Sequence, residues 1–265
     1  MEPRVLTHAV AGDGEPVVLL PGGLTGWGSW LPHAERLAAR WRAIRVQPVH
    51  NELGSAGHPG DPAYTAALER ACLRMTLDAL AVGAAHMAGW SAGATAALDF
   101  ALAHPERVRT LVLIEPGADW VLERLGERDP AAGRLEALLR AMAGRPVSEG
   151  DLADVLVALG LAPSAAEARA DPDWERLAAH RAALSWHTEA AERFDWALAD
   201  LGRLDLPVLL VKGAGSDAWL TRPVDALARL LPRASVLELP GGHACHIESI
   251  DIFLDAMGTH MRASA

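Results

Sequence analysis

Ser91 lies two residues after Gly89 and two before Gly93, in the stretch Gly89-Trp90-Ser91-Ala92-Gly93. The apolar run Ala84–Ala88 precedes it, and a helical pattern, Ala92–Ala103, follows. A strand, a sharp turn with serine at its apex, and a helix form a nucleophile elbow. Glycine suits the flanks because side chains there would collide with neighbouring backbone in so tight a turn. The helix from Ala92 aims unpaired N–H groups and its positive dipole end at the serine, where an acyl transfer would build negative charge. A serine used this way needs a base, an acid that orients the base, and an oxyanion hole.

Two later residues stand where such partners would be useful. Asp217 follows the apolar run Val208–Lys212 through Gly213-Ala214-Gly215-Ser216, and His243 follows Val236–Leu239 through Pro240-Gly241-Gly242. Both fall in loops at the carboxyl ends of candidate strands, where open α/β sheets bind ligands. His246, about one helical turn on, is the rival base, and Cys245 reads as a buried, unreactive thiol.

The elements that must position these residues alternate in type. Strands are expected over Arg4–Val10, Pro16–Leu20, Ala43–Pro48, Ala84–Ala88 and Arg109–Ile114, with helices over Pro32–Ala39, Ala63–Val82 and Ala92–Ala103. Asn51–Pro62, dense in Gly and Pro, reads as a loop, and His50 at its edge as a solvated loop histidine, with a place at the mouth of the site as the alternative. Short, continuously apolar strands such as Val17–Leu20 suit a parallel sheet covered on both faces. The alternation stops between about Gly117 and Leu204, where only helices are expected, most clearly Leu135–Met142, Asp151–Leu159 and Trp174–Leu184, with Ser148 and Asp173 near helix starts. It resumes with the strand Pro207–Lys212, a helix near Val224–Leu231, the strand Ser235–Leu239 and a final helix after His246. The expected architecture is α/β, a mostly parallel central sheet flanked by helices. Residues 1–116 and 205–265 would form the core, and 117–204 an inserted helical lid.

Composition narrows the partners. With 51% apolar residues, 22% charged residues and 265 in all, the chain can bury a large core as one domain with an insertion. A formal net charge of −10 disfavours nucleic acid and anionic membranes. No apolar run reaches the length of a membrane span, and Met1–His8 shows no secretory leader, so a cytoplasmic monomer or homodimer is expected. Two cysteines suggest no disulfide framework, and no metal-type Cys/His spacing or dinucleotide fingerprint is present, so neither metal nor cofactor is expected.

Taken jointly, Val17-Val18-Leu19-Leu20-Pro21-Gly22-Gly23, the elbow, His104-Pro105-Glu106-Arg107-Val108, Gly213–Asp217 and Gly242-His243 with Glu248 and Phe253 downstream resemble the α/β-hydrolase fold superfamily over nearly the whole chain. The resemblance implies Ser91 as nucleophile, His243 as general base and Asp217 as the orienting acid. Glu115 and Asp119 are alternative acids, since some members carry the acid after the preceding strand. It also implies oxyanion donors from the backbone N–H of Ala92 and of Gly23, with Leu24 next in line. Two stretches depart from the family pattern: Pro21-Gly22 stands where many members have His-Gly, and Val49–Gly54 where Arg-Gly-His-Gly is common.

Nine tryptophans beside three phenylalanines and one tyrosine point to an apolar or aromatic small-molecule substrate. Leu24, Trp27, Trp90, Trp120 and Trp186 are the expected lining residues. The reaction expected is hydrolysis of an ester, thioester or lactone through an acyl-enzyme. A lyase, cyclase or acyltransferase on the same fold, or a non-catalytic ligand-binding member, is the alternative.

Overall fold

The computed structural model describes residues 1–187 and 194–263. Seven strands form one sheet in the order β1-β3-β2-β4-β5-β6-β7. They are β1 (His8–Ala11), β2 (Glu15–Leu20), β3 (Trp41–Val46), β4 (Ala85–Trp90), β5 (Val108–Ile114), β6 (Val208–Gly213) and β7 (Ala234–Leu239). Only β1 runs antiparallel, against β3; every other pairing is parallel. The first strand is shorter and later than the expected Arg4–Val10, because its pairing with β3 begins only at His8↔Val46.

Side chains on successive strand residues point to opposite faces, and the core divides accordingly. Val18, Leu20, Met87, Leu111, Leu113, Val208 and Leu210 pack on one face with helices α3 (Ala66–Ala79) and α4 (Ala92–Ala103). Val17, Leu19, Ala88, Val112, Ile114, Leu209 and Val211 pack on the other with α1 (Leu31–Leu37) and the last helix (Ile250–Arg262). β4 is buried along its whole length, as a central strand covered on both sides must be.

Asn51–Pro62 is not all loop. Val49–Ser55 forms helix α2, which buries Val49, His50, Asn51 and Gly54, so His50 is a buried residue and not the solvated one expected. Gly54 allows this: a Cβ there would lie 2.5 Å from the Ala183 nitrogen, so the helix can press against the inserted segment. α3 is shorter than Ala63–Val82 because Thr65 caps it, its hydroxyl accepting the Leu68 N–H.

Between β5 and β6 lie α5 (Asp119–Leu125), α6 (Ala132–Met142), α7 (Glu149–Ala158), α8 (Ala165–Ala170), α9 (Trp174–His180), a 3₁₀ turn (Arg181–Trp186) and α10 (Leu198–Arg203). Positions 188–193 of the expected lid lie outside the described residues. Ser148 caps α7 reciprocally with Asp151. Met142, Leu152, Leu156, Trp174 and Leu184 form an apolar cluster of the insertion's own, which also takes in Leu24. The returning chain is tied to α4: Asp99, 4% exposed, accepts the Trp196 indole N–H at 2.8 Å and two 2.8 Å hydrogen bonds from Arg70. Helix α11 (Ala218–Leu230) starts earlier than expected and runs through Pro223. Two short helices, α12 (Cys245–Glu248) and α13 (Ile250–Arg262), complete the chain. Among the described residues no helix is long and apolar enough to cross a membrane.

On the α1/α13 face, His33 and His246 are stacked with ring centroids 5.4 Å apart, among Trp30 and Phe253. Neither is exposed. Burial lowers the His33 pKa to about 4 and holds His246 well below the ordinary imidazole range. In the unfolded chain both bind protons near pH 6.5, so from there down to about 4 the unfolded state holds more protons and stability falls as pH falls. For His33 the loss is on the order of 3 kcal/mol. Urea unfolding followed at pH steps across this window should show a midpoint that drops steadily on acidification, and less so in His33→Phe. A midpoint flat between pH 7 and 4 contradicts this account.

Candidate active site

β4 ends at Trp90, α4 begins at Ala92, and Ser91 between them has φ 53° and ψ −119°. A left-handed φ costs a residue with a Cβ about 1–3 kcal/mol and persists only where its surroundings enforce it. Here they do. The Ser91 N–H donates to the Ile114 carbonyl at 2.9 Å, and the Ser91 carbonyl accepts the N–H groups of Ala94 and Thr95 at 2.9 and 3.0 Å. A Cβ on Gly93 would overlap the carbonyl oxygens of Leu20 and Pro21, and one on Gly89 would overlap the backbone of Gly93 and Ala94. These contacts are the steric reason for both glycines.

His243 reaches the same rim from the loop after β7. The Trp90 indole N–H donates to the His243 carbonyl at 2.8 Å, and the two rings lie 5.4 Å apart. His243 is 3% exposed, and its Nδ1 is 2.7 Å from Glu115 Oε2. Glu115 is 1% exposed; its other oxygen accepts the Gly213 N–H at 2.7 Å. A carboxylate only accepts, so Nδ1 carries the ring proton and Nε2 is left basic. Three independent hydrogen bonds therefore bring three distant segments together: Ser91 to the strand end before Glu115, the neighbour of Ser91 to His243, and His243 to Glu115. Among described non-glycine residues φ is positive at Ser91, Glu115 (39°) and Ala81, so two of these three strained positions belong to this one cluster.

The structure sets Glu115, and not the expected Asp217, against the imidazole. After β6 the chain turns through Gly213–Ser216, with the Ser216 N–H bonded to the Gly213 carbonyl. The turn carries Asp217 past the rim to the N-cap position of α11. Asp217 is exposed, and its Oδ2 lies 3.7 Å from where a Cβ on Gly160 would stand, on the insertion's side. Glu115, named as an alternative, holds the position at the imidazole. Asp119, the other alternative, opens α5.

His246, the rival base, has its ring 4.8 Å from the Trp90 ring and 5.8 Å from Phe253, inside the core. The Cys245 thiol is fully buried and pushed up to about 12 by burial and by the charge of Glu115, so it stays protonated.

Ala92 opens α4, so its N–H has no intrahelical acceptor. Gly23 follows the end of β2, and a Cβ built on it would lie 3.5 Å from the Ala92 Cβ and 2.8 Å from His187 Nε2. The two expected oxyanion donors are thus neighbours. Leu24 turns away into the insertion's apolar cluster at 6% exposure. The tryptophans scatter. Trp90 is buried among Ala88, Val112 and Ile114, its indole bonded to the His243 carbonyl. Trp186 is 2% exposed and donates to the His58 carbonyl while packing edge-on against Tyr64. Trp27 lies 5.4 Å from the Arg45 guanidinium, and Trp120 lies 4.7 Å from that of Arg124.

Sequence reasoning missed His187, whose imidazole meets the turn at Gly23, and Asn51, whose amide donates to the Gly23 carbonyl at 2.8 Å. Neither carries a sequence signal: both are isolated polar residues far from the elbow. No group of three or more His, Cys, Asp or Glu among the described residues is arranged to hold a metal ion.

A family model described as "Alpha/beta hydrolase family" matches residues 17–256. A protein of Azorhizobium caulinodans, provisionally named carbamate hydrolase RutD, is 36% identical over 141 residues, covering 51% of this chain and 52% of the relative. The chain thus aligns with about half the length of that curated relative. A 2-hydroxy-6-oxo-6-phenylhexa-2,4-dienoate hydrolase of Burkholderia cepacia is 36% identical over 112 residues, 40% of this chain and 38% of that one. Among solved structures, a hydrolase from Pseudomonas aeruginosa has a TM-score of 0.74 at 25% identity, over 97% of this chain and 94% of its own.

Because the Gly93 contacts are with backbone, Gly93→Ala should destabilise the fold by about 2 kcal/mol or more, lowering Tm by roughly 4–8 °C. Thermal unfolding by circular dichroism measures it. A Tm within a degree of wild type would show that the turn is not as tight as described.

Proposed function

Because the chain belongs to the alpha/beta hydrolase family, we propose that it is a serine hydrolase in which Ser91 is the nucleophile, His243 the general base and Glu115 the orienting acid. The observation that carries this reading is the 2.7 Å contact between the His243 Nδ1 and the buried Glu115 carboxylate, beside an elbow serine. In the first step Ser91 Oγ attacks a carbonyl carbon while His243 Nε2 takes its proton. Glu115 holds the ring in the tautomer that can do this and offsets the positive charge that then forms on it. The carbonyl oxygen becomes an oxyanion held by the N–H groups of Ala92 and Gly23, each such donor being worth about 10²–10³ in rate in other enzymes. The imidazolium gives its proton to the leaving group, and an acyl ester remains on Ser91. Water then attacks the acyl carbon while His243 takes its proton, and the imidazolium returns that proton to Ser91 Oγ as the acyl–oxygen bond breaks and the acid leaves.

The substrate is a small or medium molecule with a reactive ester, thioester or lactone carbonyl. The helices between β5 and β6 act as its lid. The relatives named for carbamate and dienoate hydrolysis support a hydrolytic reaction on this scaffold.

A serine-directed fluorophosphonate should label wild type and not Ser91→Ala. With short-chain p-nitrophenyl esters, Glu115→Gln should lower kcat by about 10³–10⁴, while Asp217→Asn, at an exposed site, should stay within about threefold. The reverse pattern, with Asp217→Asn crippled and Glu115→Gln active, would return the acid role to Asp217. Absence of both labelling and ester turnover in folded wild type would rule out the serine hydrolase reading altogether.

A further inference from the structure

Behind the oxyanion turn lies a polar cluster that the proposed triad does not use. Glu69, 8% exposed, accepts the Val49 N–H with both oxygens at 3.1 Å and the Tyr64 hydroxyl at 2.8 Å. Tyr64 thereby spends its one proton on Glu69, and burial raises its pKa well above the ordinary value, so it keeps that proton. The Tyr64 oxygen is 3.0 Å from His50 Nδ1 and can only accept there, so Nδ1 carries the ring proton. Burial lowers the His50 pKa against the opposing pull of Glu69 and the Gly23 backbone; with Nδ1 protonated, the neutral ring has Nε2 as its acceptor. Asn51 is oriented just as firmly. Its Nδ2 donates to the Gly23 carbonyl at 2.8 Å, which fixes Oδ1 as the other amide atom.

His50 is 7% exposed and Asn51 fully buried, yet His50 Nε2 and Asn51 Oδ1 have no hydrogen-bond partner among the described residues. Leaving a buried acceptor unsatisfied is destabilising. Two such acceptors on adjacent residues make a doubly unpaid position. They border the site and not the sheet: Asn51 grips Gly23, and the His50 ring stands 5.8 Å from the ring of His187, which itself meets Gly23.

We infer that His50 and Asn51 form an acceptor subsite beside the oxyanion turn, selecting substrates whose acyl group carries a hydroxyl or N–H donor close to the reacting carbonyl. This rests on the serine hydrolase reading above. The subsite touches the acyl side because Gly23, the residue it flanks, is the donor proposed for the carbonyl oxygen. An acyl group with a methyl in place of the donor leaves both acceptors unpaired in the complex and loses rate accordingly.

Methyl glycolate, methyl propionate and methyl methoxyacetate differ by a hydroxyl, a methyl and a capped hydroxyl at one position. Their hydrolysis can be followed by titration at constant pH. Wild type should prefer glycolate to either of the others by roughly tenfold or more in kcat/KM. The preference should collapse toward unity in Asn51→Leu and in His50→Phe, whatever happens to the absolute rates. The wild-type comparison needs no variant, so a variant that fails to fold leaves the test standing. Turnover of all three esters at equal kcat/KM, or a preference unchanged in both variants, overturns the subsite while leaving the triad intact. No turnover of any ester, together with no fluorophosphonate labelling, overturns the hydrolase reading and this inference with it.

Discussion

One carboxylate holds the rim of this sheet together. Glu115 directly follows β5, accepts a hydrogen bond from the last residue of β6, and binds the imidazole that follows β7. A buried carboxylate is costly unless every oxygen is engaged, and both oxygens of Glu115 are. The interaction thus demands that three neighbouring strands end at matched heights. It also demands that Gly213 lack a side chain, since a Cβ there would strike the Gly241 and Gly242 carbonyls. Ser91 joins the same junction through its N–H on Ile114, one residue before the carboxylate. The left-handed φ of Glu115 is the local strain that this junction maintains.

The fold was largely legible in the sequence because apolar period and glycine position are steric signals. Alternating side-chain direction within each apolar strand separates the two faces of the core, and Gly89 and Gly93 mark an elbow whose backbone leaves no room for anything else. The place of His243 at the rim was legible for a related reason, since a Gly-Gly-His loop follows an apolar strand there. The carboxylate that meets its ring was not legible. Asp217 and Glu115 both follow β-strands that end at the same rim, and residue type cannot tell them apart. What separates them is the number of residues between strand and carboxylate. Glu115 follows its strand directly and turns inward. Asp217 comes four residues after Gly213 and starts a helix instead.

The tryptophans illustrate a different limit. Trp90 is adjacent to Ser91 in sequence, but alternation sends its side chain to the opposite face of the strand, where its indole holds the loop bearing His243. Proximity along the chain was therefore a good guide to function and a poor guide to pocket lining. His50 was singled out from the sequence, but its cluster with Asn51, Tyr64 and Glu69 was not, because the stretch around Asn51 is rich in glycine and proline and resembles solvated loop. It becomes helix α2 only because Gly54 lets it press against the inserted segment.

Leu24 has a consequence beyond its own packing. Its side chain is counted among the apolar residues of the insertion, while the peptide group just before it is clamped by Asn51 of α2. Pulling the two parts of the molecule apart would expose that leucine to water at about 2 kcal/mol and tear at a clamp on the turn. The inserted helices and the sheet therefore share a residue of their foundations, and they are built to melt in a single cooperative step and not as two bodies in succession.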